Sequence, residues 1–286
     1  HFPPAAKFGP RDDPSGLHKS DNILTDLRLF QNWAVEILPQ IEEQSLADQL
    51  TVTNIPPAKS MRLKANVPVR STEISVMLCP SDIGREGMFV DTSGPWARGN
   101  YGYNAFQFWP NEWVWLFLIG SPKNSGKDLQ PFYNFNIGMG AFDDTVNRIV
   151  LNASKITDGT SKTIALAELR VGLSESDRRG VWAMGMCGSN LHCRHAASSI
   201  NGCIEDDDIY GSPAIVADVG ETRLSQECMR VSSYDGSGQS IVRSRHPGGA
   251  NVAMADSSVH FLSDFIDQGD VAVGGSIDDD PDPNDI

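Results

Sequence analysis

The sequence of 286 residues lacks the features of several large classes of protein. Its longest apolar run, residues 113–120, has eight residues, whereas a helix that spans a bilayer needs about 20. Basic residues are in the minority: 37 acidic side chains against 23 Lys and Arg give a formal charge of −14, which repels a phosphate backbone. We therefore expect no nucleic-acid binding and no membrane contact by this chain.

Motifs of common enzymes are also missing. No G-x-S-x-G segment is present to expose a serine nucleophile. Residues 158–163, Asp-Gly-Thr-Ser-Lys-Thr, end like a phosphate-binding loop, but they lack the preceding glycines, and residues 164–168 have the pattern of a strand rather than a helix. We therefore expect that the protein is not an enzyme. Residues 158–163 are expected to form a turn that leads into a strand.

The composition is that of a globular protein, with 40% hydrophobic and 21% charged residues. Neither a Pro/Ser-rich linker nor an internal repeat divides the chain, which predicts one domain over residues 1–286. Within it we expect an extended lead-in at 1–22, a helical region at 23–50, a β-rich region with long loops at 51–262 and an acidic tail at 263–286.

Hydrophobic periodicity predicts an α+β fold, with N-terminal helices packed on a mainly antiparallel sheet. Helical spacing runs from Asp26 to Leu38 and again from Gln40 to Leu50. A hairpin is predicted from residues 250–255 and 259–262 around the polar break Asp256-Ser-Ser. The other short segments with strand character are Thr72–Leu78, Arg148–Asn152, Thr163–Leu169, Gly180–Met184 and Ala214–Val216.

Five cysteines are present, and three of them, Cys187, Cys193 and Cys203, fall within 17 residues. This density favours disulfides among these three and Cys228. Zinc is the alternative, since histidines lie between and beside the clustered cysteines, although the C-x-x-C spacing of most structural zinc sites is missing. Cys79 is the candidate for an unpaired thiol, because Leu78-Cys-Pro ends a segment expected to be buried.

Aromatic residues are concentrated in one segment, residues 96–117, which contains nine of the 23 in the chain. On a strand, Trp113 and Trp115 would share one face, with Trp109 nearby in sequence. Core burial is the most general role for such residues, followed by packing on another subunit or stacking on a sugar ring. A glycan-binding or adhesin-like module is the alternative function that this segment suggests.

Two acidic clusters offer oxygen ligands. One contains Asp206, Asp207 and Asp208, and the other lies in the tail and includes Asp278 and Asp280. Calcium is the ion that such clusters bind, but neither follows the twelve-residue EF-hand pattern, and acidic runs are most often solvated surface. A calcium site is therefore a secondary expectation.

The C-terminal motif carries a resemblance to a known family. In residues 243–262 a histidine, His246, is followed after nine residues by Asp256. This resembles the His-x9-Asp-Gly signature of a large bacterial family of prepilin-like proteins of formerly unknown function, with Ser257 in place of the glycine. Further landmarks in family order are residues 2–5, 32–44, 78–82, 99–104, 156–164 and 179–185.

The resemblance implies a pilin-like or pseudopilin-like subunit: a globular head that follows a long apolar anchor helix, with the given sequence expected to start just past that helix. It also implies a structural role in a filament or surface appendage, as in type IV pili or type II secretion. The partners would be copies of the chain or related pilin-like subunits. The location would be extracellular or at the cell surface, or periplasmic for a pseudopilin, where at least one disulfide is expected.

The signature itself has a structural explanation. Gly248 and Gly249 give the loop after Pro247 backbone freedom, and Asp256 can accept backbone N–H bonds in the hairpin turn. We expect His246 to hydrogen-bond to backbone or a carboxylate rather than to bind a metal, because companion ligands are missing nearby in sequence.

Overall fold

The computed structural model confirms the α+β class. It describes residues 2–3, 6–8, 29–51, 53–54, 57–58, 61–82, 87–104, 142–144, 153–186, 188–192, 199–203, 212–229 and 241–267. The helices are α1 (Trp33–Glu36), α2 (Gln44–Asp48), α3 (Val67–Arg70), α4 (Ser212–Val219) and α5 (Glu221–Gln226). The strands are β1 (Ala6–Phe8), β2 (Leu29–Asn32), β3 (Thr53–Asn54), β4 (Pro57–Ala58), β5 (Phe89–Asp91), β6 (Gly94–Trp96), β7 (Tyr101–Asn104), β8 (Phe142–Asp144), β9 (Ile164–Glu168), β10 (Leu191–His192), β11 (Gly249–Met254) and β12 (Val259–Ser263).

The largest sheet has the strand order β10-β7-β9-β11-β12. Its neighbours are antiparallel except for β10 and β7, which are parallel. Strands β11 and β12 form the predicted hairpin, with Ala250 opposite Leu262 and Ala253 opposite Val259. Within the described part of the chain, no strand pairs with the outer side of β12, so β12 is an edge.

Three smaller sheets complete the described strands. One has the order β2-β1-β8, in which β1 and β8 are parallel, and the other two are the pairs β3–β4 and β5–β6. Antiparallel pairing predominates, as the sequence predicts. The predicted strand at residues 163–169 is confirmed as β9, whereas residues 148–152 lie outside the described part.

The N-terminal helical prediction is wrong at residues 29–32, and residues 23–28 lie outside the described part of the chain. Residues 29–32 form strand β2, and helix α1 starts only at Trp33. The start is fixed by Asn32, whose Oδ1 accepts a hydrogen bond from the Val35 backbone N at 3.1 Å and whose Nδ2 donates to the Trp182 carbonyl. A 3₁₀ turn, Leu38–Ile41, contains Pro39 and precedes α2.

Two predicted strands are helical turns instead. Within residues 72–78, Ser75–Met77 forms a 3₁₀ helix, because the buried side chains Ile74 and Met77 are three residues apart rather than two. Residues 214–216 belong to α4, where Ile215 packs against Leu224 and Met229 in a small separate cluster.

A third predicted strand, Gly180–Met184, is a buried series of turns. It contributes only an isolated bridge between Val181 and Arg98, because Gly180 has a positive φ of 59° and Met184 N bonds back to the Val181 carbonyl. Its apolar run reflects complete burial: Trp182 is 1% exposed and belongs to the same core cluster as Trp33.

Buried arginines stabilise the long loops between these elements. Arg98 donates from Nη1 to the Asp177 and Arg179 carbonyls at 2.6 and 3.0 Å, and from Nη2 to the Ser174 carbonyl at 2.7 Å. One guanidinium thus ties together three carbonyls of the loop over residues 174–179. Among the described residues, no helix has the length and apolar character needed to cross a bilayer.

Candidate functional site

Three chemically reactive side chains from distant parts of the chain meet beside the large sheet. His246, in the loop before β11, places Nε2 3.0 Å from Glu168 Oε1 and 3.6 Å from Cys79 Sγ. Glu168 is the last residue of β9, and Cys79 follows the 3₁₀ turn Ser75–Met77. Cys79 and Glu168 are buried, while the His246 side chain is 27% exposed.

The carboxylate of Glu168 is fixed by the neighbouring strand. Its Oε2 accepts a hydrogen bond from the Asn251 backbone N at 2.7 Å, and its Oε1 lies 3.3 Å from Asn251 Nδ2. Asn251 lies in β11, which pairs with β9, so the sheet itself sets the direction of this carboxylate. Oε1 therefore remains turned toward His246.

The segment that carries Cys79 is fixed by a buried polar network. Asn100 Oδ1 accepts from the Cys79 backbone N at 2.9 Å, and Asn100 Nδ2 donates to Asp82 Oδ2 at 2.8 Å. The same Asp82 oxygen accepts from the Val171 backbone N at 3.0 Å. Both sequence landmarks, 78–82 and 99–104, thus serve to hold the loop of Cys79 against the sheet.

A cluster of ion pairs lies next to this network. Glu227 contacts Arg170 at 2.6 Å and Arg245 at 2.7 Å through Oε2, and Arg223 at 2.7 Å through Oε1. Burial alone would raise the pKa of Glu227, but the hydrogen bonds and charges of Arg170 and Arg245 outweigh it and lower the pKa. These pairs join α5 to the loop that carries His246.

The geometry restricts the chemistry of the three side chains. In a nucleophile–histidine–carboxylate relay, the carboxylate and the nucleophile contact opposite nitrogens of the imidazole. Here Glu168 and Cys79 both approach Nε2 of His246, so the relay arrangement is not formed. A thiol, an imidazole and a carboxylate that converge on one point are instead a donor set for a metal ion.

The predicted signature residues lie in and around the β11–β12 hairpin. Asp256 Oδ1 accepts from the Ser258 backbone N at 2.9 Å and from the Ser258 hydroxyl at 2.6 Å, and these hydrogen bonds lower the pKa of Asp256. Gly248 has a positive φ of 84°, and Gly249 starts β11. His246 contacts the carboxylate of Glu168, and its ring meets Phe261 edge-on at 6.5 Å.

Apolar side chains are exposed on and just after β12. Phe265 is 93% exposed, Val259 70%, Phe261 53% and Ile266 40%. We call these four residues the β12 patch. Contiguous apolar exposure at a sheet edge is characteristic of a surface that contacts a partner.

Of the predicted disulfide, the structure contains Cys203–Cys228, with Cα atoms 4.8 Å apart, and Cys79 is a buried free thiol. Cys187 and Cys193 lie outside the described residues.

The other candidate sites fall largely outside the described residues. These are the interface or glycan candidates Trp109, Trp113 and Trp115, and the calcium candidates Asp206, Asp207, Asp208, Asp278 and Asp280. The first residue of the aromatic segment, Trp96, is completely buried beneath the guanidinium of Arg70 at 4.1 Å.

Sequence reasoning missed the role of Glu168 and the pairing of Cys79 with His246. The alternation of residues 164–168 predicted the strand but gave no reason to single out its terminal acid. One signal in the sequence could have identified Glu168. It ends an otherwise apolar strand, and a carboxylate that is buried in such a place needs a hydrogen-bonding or charged partner. The β12 patch also escaped notice, because its alternation resembles that of a half-buried strand.

An α+β chain with an edge hairpin and a Cys–Glu–His cluster does not by itself define a known activity. The chain belongs to DUF1559, a protein family of unknown function, whose family model matches residues 1–269. No curated protein and no solved structure matches it. The family description assigns no function, so the pilin-like role remains a prediction.

Proposed function

We propose that the chain is the globular head of a pilin-like subunit that assembles with copies of itself outside the cytoplasm. The role is structural and needs no chemical turnover. The sequence resemblance supports the pilin-like class, and the Cys203–Cys228 disulfide is typical of an oxidising compartment such as the cell surface or periplasm.

The observation that carries the proposal is the open apolar edge of the large sheet. Natural edge strands are protected by lysine, proline or inward-pointing charge, and residues 259–263, Val-His-Phe-Leu-Ser, contain no lysine, proline or carboxylate. Phe261 and Phe265 together expose two aromatic rings beside this edge. Covering them in an assembly would remove apolar area from water, which favours association.

The net charge of the chain affects how strongly two copies would associate. Each chain has a formal charge of −14, so two copies repel one another at long range. β12 has no charged carboxylate within it, so the repulsion comes from the rest of the surface and is screened by salt. We therefore expect self-association through the β12 patch to strengthen as ionic strength rises.

The test compares the parent chain with Phe261→Ser/Phe265→Ser by sedimentation velocity at about 0.15 M salt and at higher salt. Val90→Ser is the matched control, since Val90 is 45% exposed on the separate β5–β6 sheet. We expect parent and control to associate more strongly with added salt and the double variant to stay monomeric. Equal association in all three chains, or a monomeric parent under all conditions, would contradict the proposal.

A further inference from the structure

We propose that Cys79, Glu168 and His246 form a binding site for a divalent transition-metal ion of the zinc class. The proposal rests on the geometry of these three side chains and is independent of the assembly role. None of the three is near another in sequence, since His246 lies 167 residues from Cys79 and 78 from Glu168.

The distances between the donor atoms fit one ion. Ligand atoms that are 2.0 to 2.3 Å from a tetrahedral zinc ion lie about 3.3 to 3.6 Å from one another. His246 Nε2 lies 3.6 Å from Cys79 Sγ and 3.0 Å from Glu168 Oε1, and all three donor atoms are within 4.8 Å of one another. The donor atoms of Cys79 and Glu168, at most 4.8 Å apart, would have to close to about 3.5 Å around an ion, which needs side-chain shifts of about 1 Å or less.

The donor types select the metal. One sulfur, one imidazole nitrogen and one carboxylate oxygen suit zinc and similar divalent ions, whereas calcium and magnesium prefer oxygen ligands alone. Three protein ligands leave a fourth position for water or another ligand. Cys79 and Glu168 are buried, so the partly exposed His246 is the side from which an ion enters.

The supporting contacts hold the donors in place. Asn251 donates to both carboxylate oxygens of Glu168, from its backbone N to Oε2 and from Nδ2 to Oε1, and Oε1 also faces His246. Asn100 fixes the backbone of Cys79. Hydrogen bonds of this kind orient ligating side chains and raise metal affinity by about 10- to 100-fold. A site that the protein has ordered in this way loses little conformational freedom when an ion binds.

The experiment uses the full chain, stripped of metal with a chelator. Zn²⁺ binding is measured by competition with a coloured chelator, and Co²⁺ is added separately because a cobalt–thiolate bond gives a near-ultraviolet charge-transfer band. The variants are Cys79→Ser, Glu168→Gln and His246→Ala. His260→Ala is the matched control, since His260 is an exposed histidine on β12 that contacts Ser258 and not the site.

We expect the parent and His260→Ala to bind one ion with the cobalt–thiolate band. Each site variant should lose at least tenfold in affinity, and Cys79→Ser should lose the band. Should a variant fail to fold, alkylation of the parent decides the question: zinc should protect the Cys79 peptide, identified by mass spectrometry. Unchanged affinity in folded site variants, or alkylation of Cys79 that zinc does not slow, would overturn the proposal.

Discussion

At the scale of single residues, the hairpin turn explains one feature of the signature. Ser257 has a positive φ of 71°, in the left-handed region that glycine adopts at no steric cost. The resembled signature has glycine at this position, after the aspartate. Ser257 is thus less suited to this φ than glycine would be, while Asp256 stabilises the turn through Ser258.

Ser257→Gly should stabilise the protein by about 0.5 to 1 kcal/mol, since removing Cβ relieves the left-handed strain by more than the added freedom of the unfolded chain costs. Thermal melts of parent and variant measure this. Ser257→Ala is the control and should melt near the parent, because it keeps Cβ. A glycine variant that melts at or below the alanine variant would contradict this explanation of the turn.

The site shows what residue patterns can and cannot predict. The motif singled out His246 and the flanking apolar residues predicted a buried Cys79, because both arguments use local sequence. The expectation that His246 binds no metal rested on the same local view, because no other metal-ligating residue is close to His246 in sequence. The structure places Glu168 and Cys79 beside His246 through strand pairings and loop contacts that depend on the whole fold.

At the scale of elements, the β11–β12 hairpin was predictable and several other elements were not. Alternation around a polar turn identified β11 and β12 within one residue. The segments at 72–78 and 180–184 have the same short apolar runs, but complete burial hides whether their backbone is extended or turned. Hydrogen bonds from arginine side chains to backbone carbonyls, such as those of Arg98, stabilise the loops between the elements. Such bonds give the sequence no periodic pattern from which they could be predicted.

The two glycines that lead into β11 should respond differently to alanine. A Cβ on Gly249 would overlap the Leu262 carbonyl of β12, whereas a Cβ on Gly248 would have open space and only a positive φ to oppose it. We expect Gly249→Ala to cost about 2 to 3 kcal/mol and Gly248→Ala about 1 kcal/mol. Chemical denaturation of both variants tests the order, and an equal or reversed order would contradict the close approach of β11 and β12 at Gly249.

At the scale of the whole molecule, buried charges link stability to pH. Asp177 contacts Arg179 at 2.5 Å, with both side chains buried. Burial alone would raise the pKa of Asp177, but the charge and hydrogen bonds of Arg179, with the charge of Arg98, outweigh it and lower the pKa from its ordinary value. Because the folded pKa is lowered, the stabilisation is complete above the unfolded pKa and is lost as pH falls through the folded value.

We therefore expect the melting temperature to fall steeply as pH decreases below about 4. Asp177→Asn should reduce this acid dependence and cost about 3 to 5 kcal/mol at neutral pH, because it leaves Arg179 without its buried partner. Asp158→Asn, at an exposed carboxylate, is the control and should follow the parent. An Asp177 variant with the parent's stability and acid profile would show that this ion pair does not link folding to pH.

We propose that the chain is an assembling head whose β12 patch is covered by another copy. The decisive measurement is electron cryo-microscopy of the native material, prepared from the surface of the producing cells. We expect a regular assembly in which Phe261 and Phe265 lie at a contact between copies. Dispersed single particles, or an assembly that leaves β12 open to solvent, would contradict it.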